Sequence, residues 1–274
     1  MTTLHYPDSG QPLEDKAILR NAVDFGTGAR ALSSELVLRQ SIGVSQTELA
    51  YLAVAAFAEF MQSTEDMLGW LFALQEWQPG TFEFSLFHLL YRIQVGRHAL
   101  KKVPDYREER AVALLHGLDE QGFRRLIHIP SDEDLRTSGA PADLCGQIAT
   151  ALTPKLEGWR RIASRRADQD RGLVRAFNKL KHQMLALRTR TADKDEVWMP
   201  IEVAHDSDAK RTRLRGASLV VSSGNVRRWA GDAIAAQAIL WDTLGLILWL
   251  RYGVEPSPPA WVLKAYAADY LWTP

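Results

Sequence analysis

The sequence predicts a mainly α protein: a helical bundle of long helices with one small antiparallel β-hairpin inserted before the last long helix. Three observations carry that expectation. Two long apolar segments, residues 46–77 and 225–252, are bounded by residues that start and stop helices. In the stretch 155–190, Leu173, Phe177, Leu180, Met184 and Leu187 recur at helical spacing. A strand-like alternation appears in one place only, residues 194–222. We expect a single mostly helical domain over residues 1–274, with the turn-rich segment 129–141 as the place for an internal boundary.

In chain order, residues 1–20 mix Pro, Asp, Gly and charged residues and read as a loose lead. A short helix or two fits 23–39, with Gly26 and Gly28 weakening any start before Ala29. Ser45 with Glu48 three residues on forms a capping box for a helix from Gln46 to about Trp77, which Pro79 and Gly80 end. Thr81 is placed to cap a second helix over 82–101, docked antiparallel on the first because the connection is short. Helices over 105–118 and 119–129 follow, then the polar loop 129–141 and a short helix over 142–152. Pro154 is placed in the first turn of a long basic helix that runs on toward Arg190. Residues 196–204, edged by Pro200, and 214–222 make the hairpin. The last long helix runs from about Asn225 to Tyr252 with Gly253 as its stop, and a short helix over 260–271 closes the chain.

Composition bounds the function. The 33 Lys and Arg balance 33 Asp and Glu, so no long-range attraction to nucleic acid or to an anionic membrane arises from the whole molecule. The single cysteine, Cys145, excludes an intrachain disulfide and a multi-thiolate metal site. The first residues lack a basic region followed by an apolar run, so a cytoplasmic, reducing setting is the expectation. Residues 234–250 imitate a membrane span, but their length is marginal and Asp242 would sit near mid-membrane; a helix buried in protein, with no membrane partner, is expected. No phosphate loop, HExxH or zinc pattern is present, and we expect neither a cofactor nor a metal.

What remains is the basic stretch. Residues 155–190 hold eleven Lys and Arg against Glu157, Asp168 and Asp170. Opposite the apolar stripe, helical geometry lines up Arg171, Arg175, Asn178 and His182. One reading is a core helix whose far side is solvated. The other is a site. Carboxylates at Glu59, Glu65 and Asp66 in an otherwise apolar helix could meet that row in an ion-pair network, or face solvent. A fixed guanidinium can hold a phosphate, an imidazole can move a proton and an amide can position either. Arg175, His182 and Asn178 are therefore the candidate catalytic residues, for metal-independent RNA cleavage through the 2′-hydroxyl.

The run Arg175 to His182, an Arg, six residues and then His, resembles the Arg-x(4–6)-His signature of the HEPN superfamily. Phe177-Asn178-Lys179-Leu180-Lys181-His182 is similar to the Asn-Lys-x-Lys-His run of several HEPN-like bacterial families. The resemblance implies a helical bundle that often dimerises, and in many members a ribonuclease of toxin–antitoxin or defence systems. It implies that Arg175 binds or polarises the scissile phosphate and that His182 is general acid or base. The chain departs from the pattern at Ala176, where active members commonly carry a polar residue, and in the hairpin that separates the motif helix from the next. The partners to consider are a second copy of the chain, RNA and a regulatory protein. The functions to separate are a HEPN-like RNA- or partner-binding protein, an endoribonuclease and a dimeric interaction module.

Overall fold

The computed structural model describes residues 14–81, 84–95, 108–139, 141, 143–169, 171–180, 187–190, 194–206 and 211–267. In chain order its helices are α1 (Asp15–Asn21), α2 (Thr27–Gln40), α3 (Gln46–Glu76), α4 (Leu86–Leu90), α5 (Glu108–Gly117), α6 (Glu120–Leu126), α7 (Asp132–Thr137), α8 (Leu144–Ala167), α9 (Arg171–Leu180), α10 (Ser223–Tyr252) and α11 (Ala260–Ala267). Single π-helical turns lie at Ala22–Gly26 and Tyr91–Val95. The strands are β1 (Leu187–Arg190), β2 (Asp195–Asp206) and β3 (Arg211–Val220). The fold is therefore mainly α, with a small antiparallel sheet before the last long helix. The chain forms two compact units, one of Met1–Ala31, Thr64–Ala167 and Ala235–Pro274, the other of Leu32–Ser63 and Asp168–Ile234. Segment 129–141 lies inside the first.

The first unit is helical. The lead becomes ordered helix from Asp15, where a loop was expected, because two anchors hold it. Leu19 is fully buried, and the Asp15 carboxylate accepts from the Trp77 indole N–H at 2.8 Å and from the Leu86 backbone N–H at 2.8 Å. Trp77 in turn lies edge-on to the His128 imidazole, and the Arg251 guanidinium sits 5.4 Å from its ring centroid. The cap expected at Thr81 is at Ser85, whose hydroxyl accepts from His88 N; Thr81 instead closes the preceding turn on the Gln78 carbonyl. Residues 96–107 lie outside the described residues. The loop expected at 129–141 contains α7, started by a reciprocal capping box of Ser131 and Asp134. Pro154 lies inside α8 rather than opening a new helix. Thr150 and Pro154 are both exposed, so the carbonyl left without its usual donor faces water, which keeps the interruption cheap.

Helix α8 packs on α10 through a tight seam in this unit. A Cβ at Gly158 would meet the Ile239 side chain at 2.9 Å, and Trp159 donates to Thr243 Oγ1 at 3.0 Å with both residues fully buried. Asp242 is ion-paired with Lys155. Helix α10 is long and apolar enough to cross a membrane by length and composition, and 78% of that window is buried within the protein. Gly253, at φ 64°, ends it by donating its N–H to the Trp249 carbonyl at 2.9 Å.

The second unit packs α9 on β2 and β3. Its core joins Phe57 and Phe60 of α3, Ala176 and Phe177 of α9, Val197 and Met199 of β2, Leu219 of β3 and Trp229 of α10. Phe57 is edge-on to both Phe177 and Trp229, with centroids 6.2 Å and 5.3 Å away. The hairpin carries a third strand in the order β1-β2-β3. The basic stretch, expected as one helix, is therefore α8, then α9, then β1. The end of that stretch is a strand because pairing outweighs local propensity. Leu187 pairs with Trp198 through Arg190 with Asp195, and Arg188 clasps Asp195 with two bonds of 2.9 Å and 2.6 Å while donating to Thr47 at 2.7 Å. Pro200, which has no N–H to give, coincides with a shift of register between Pro200 and Glu202.

Candidate nucleic-acid interface

The geometry of α9 follows from which of its residues the core of the second unit takes. Ala176 and Phe177 are buried to within 2% and Leu173 and Val174 pack against the core, whereas Arg171 and Arg175 are exposed. Four residues advance a helix by about 40° past a full turn, so Arg171 and Arg175 share the outer face. His182 lies outside the described residues. The structure thus sets Arg171 and Arg175 on one exposed face of α9, carries the helix through Asn178, and leaves the fourth member of the expected row outside the described residues.

Burial also accounts for the departure at Ala176. That position points into the apolar core, 1% exposed, where a polar side chain would need a buried partner. Small size and the absence of polar atoms are what the site requires.

At least four of the eleven cations that made the stretch conspicuous bond inside the protein. Lys155 pairs with Asp242. Arg160 reaches the Leu115 carbonyl at 3.0 Å and the Leu118 carbonyl at 2.6 Å, satisfying the C-terminal end of α5, and pairs with Glu157. Arg166 is 2% exposed and bonds Glu108 at 2.9 Å; burial depresses its pKa, opposed by the charges of Glu108 and Glu65. Arg188 is held by Asp195, whose hydrogen bonds and charge raise its pKa. Arg175 makes no ion pair among the described residues. What looked in the sequence like one basic patch is therefore divided: Lys155, Arg160, Arg166 and Arg188 serve the interior, and Arg171 and Arg175 are exposed on α9.

The acids expected as partners for the row have their own contacts. Glu59 accepts from the Ser33 hydroxyl at 2.7 Å, within the second unit. Asp66 takes Arg30 at 3.1 Å, and Glu65 contributes charge at Arg166, both within the first.

Sequence reasoning missed the outer face of the sheet. Trp198 lies over Gly216, so close that a Cβ there would overlap the indole, and Leu187 and Val220 on the same face are about half exposed. Leu187 had been placed on the apolar stripe of a helix. The β-branched residue in Leu187-Arg188-Thr189-Arg190 was the available signal for a strand. Among the described residues no group of three or more His, Cys, Asp or Glu is gathered for a metal ion. Chemically, the exposed α9 face offers the guanidinium groups of Arg171 and Arg175 for a phosphate. Known families, curated proteins and solved structures yield no match to this chain.

Proposed function

We propose that the second unit is a HEPN-like RNA-binding module, with the outer face of α9 as its contact surface and Arg171 and Arg175 on backbone phosphates. One observation carries the reading. Arg175 is exposed on α9, on the side away from the buried Phe177, and makes no ion pair among the described residues, whereas Lys155, Arg160, Arg166 and Arg188 are bound within the protein. Arg171, one turn earlier, is exposed beside it. Two phosphate contacts predict modest, salt-sensitive affinity with little sequence preference. The test is fluorescence anisotropy of a labelled mixed-sequence single-stranded RNA across a salt series. The variant Arg171→Ala/Arg175→Ala should bind more weakly and flatten the slope of log K against log salt by about 0.7 per lost contact. No binding by the parent chain, or an unchanged slope in the variant, sinks the proposal.

A second reading is supported by the order Arg175, Asn178, His182 in the sequence: metal-independent RNA cleavage, with Arg175 stabilising charge on the scissile phosphate, His182 exchanging the proton and Asn178 orienting the phosphate or the imidazole. RNA incubated without metal should shorten in the presence of the parent chain and remain intact with His182→Ala. Equal absence of products in both leaves binding as the function.

A further inference from the structure

Strand β3 pairs with β2 on one side, and the register fixes what its other side offers. The Val221 N–H donates to the Asp195 carbonyl at 2.8 Å, and the same register continues through Leu219 with Val197 and Ala217 with Met199. In an antiparallel ladder these alternate residues exchange the bonds, so Gly216, Ser218 and Val220 turn their N–H and C=O groups away from β2. The Val220 carbonyl is taken by the Asn225 side-chain amide at 3.1 Å. Gly216 and Ser218 are exposed, and among the described residues no strand lies beyond them. On the outer face the Trp198 indole reaches from β2 onto Gly216, so a side chain arriving beside Gly216 meets an aromatic ring.

We infer that this free edge of β3 takes an extended acidic segment of another protein as a fourth strand. The inference is independent of the RNA reading, and three features select the occupant. The edge presents both backbone donors and backbone acceptors, which a peptide matches in kind. A phosphodiester chain brings mainly acceptors and would leave the carbonyls unmatched. Charge is the second feature. Strand β3 holds Arg211, Arg213 and Arg215 and no acid, and Arg215 is exposed. On the paired side the register already sets Glu202 opposite Arg215 and Asp206 opposite Arg211, and an acidic strand on the open side repeats that pairing. A second copy of β3 would instead bring three more arginines and no acid, the like-charge device by which sheet edges resist self-pairing. The third feature is the shelf. Side chains of an added strand alternate between faces, so those beside Gly216 and Ser218 meet the Trp198 indole, and those between them fall on the face of Arg215. The recognised segment therefore alternates apolar and acidic residues.

The test pans random displayed peptides of about twelve residues against the full chain and counter-selects on Ser218→Pro. Proline there removes the outward N–H and none that β2 uses, so the urea midpoint should hold. Surviving peptides should be rich in Asp and Glu alternating with apolar residues. A fluorescein-labelled survivor should lose about tenfold or more in affinity on Ser218→Pro, through the lost bond and the peptide carbonyl left without a donor. Arg215→Glu should weaken the same peptide and strengthen a version with Lys in place of its acids, a charge exchange that reads the edge independently of how Ser218→Pro folds. No surviving peptide, survivors without an excess of acids, or a survivor bound equally by the parent and both variants overturns the inference. So does a labelled single-stranded RNA that competes for the edge and loses affinity on Ser218→Pro where no peptide survives, which assigns the edge to nucleic acid.

Discussion

Removing one methyl-sized hydroxyl from the seam between α8 and α10 is the sharpest test of how the first unit is held together. Thr243 Oγ1 accepts the Trp159 indole N–H at 3.0 Å and donates to the Ile239 carbonyl at 2.8 Å, all within the core. Thr243→Val keeps the shape and takes away the acceptor. The Ile239 carbonyl retains its place in the helix ladder, so the orphan created is the indole N–H. A buried donor without an acceptor costs about 1–3 kcal/mol. The methyl that replaces the hydroxyl returns at most about 0.8 kcal/mol. The net expectation is a loss of about 1–2 kcal/mol, read as a lower urea midpoint with an unchanged m-value. The reasoning has a second consequence. On a Trp159→Phe background no N–H remains to be orphaned, so the same Thr243→Val change should cost nothing or stabilise slightly. The double-mutant cycle should therefore give a coupling of about 1–2 kcal/mol. A Thr243→Val protein as stable as its parent, or an equal cost in both backgrounds, would show that the indole bond does not hold this seam.

Two further outcomes follow from the same structure. Burial lowers the His128 pKa below its ordinary 6.5, reinforced by Arg251 and opposed by the hydrogen bond between its ring and the Leu74 carbonyl. Above pH 6.5 both folded and unfolded forms are neutral there; as the pH falls below it the unfolded chain takes up the proton first, so stability drops with acidification until the folded pKa is also passed. Urea midpoints measured from pH 7.5 to 5 should show that decline, and His128→Asn, which suits the left-handed backbone at φ 55°, should flatten it. In the second unit, Gly216→Ala should cost about 1–3 kcal/mol, because a Cβ there would force Trp198 off the strand it covers; an unchanged urea midpoint would mean that the indole has room to move.

Much of the fold was legible one element at a time. The Ser45–Glu48 box opens α3 as expected, with the Ser45 N–H and hydroxyl both on Glu48 at 2.8 Å and 2.7 Å. Gly253 ends α10, and Pro200 marks the irregularity in β2. Of the site, the two-sided character of α9 was legible too, since spacing alone separated Phe177 from Arg171 and Arg175. Each of these signals lies within a few residues of what it controls.

The sequence by itself therefore determined the helical class, the caps and stops of the long helices, and which side of α9 turns inward, because those depend on hydrogen bonds and spacing between near neighbours. Only the tertiary structure decided that residues 187–190 are a strand, that Arg160 and Arg166 serve α5 and Glu108, and that Asp66 belongs to Arg30. Arg188 illustrates why: its hydroxyl partner, Thr47, is 141 residues away. An arginine in a sequence carries the same charge whether it will meet a carbonyl, a carboxylate or water, and folding chooses among them by distance and burial, neither of which is written in residue order.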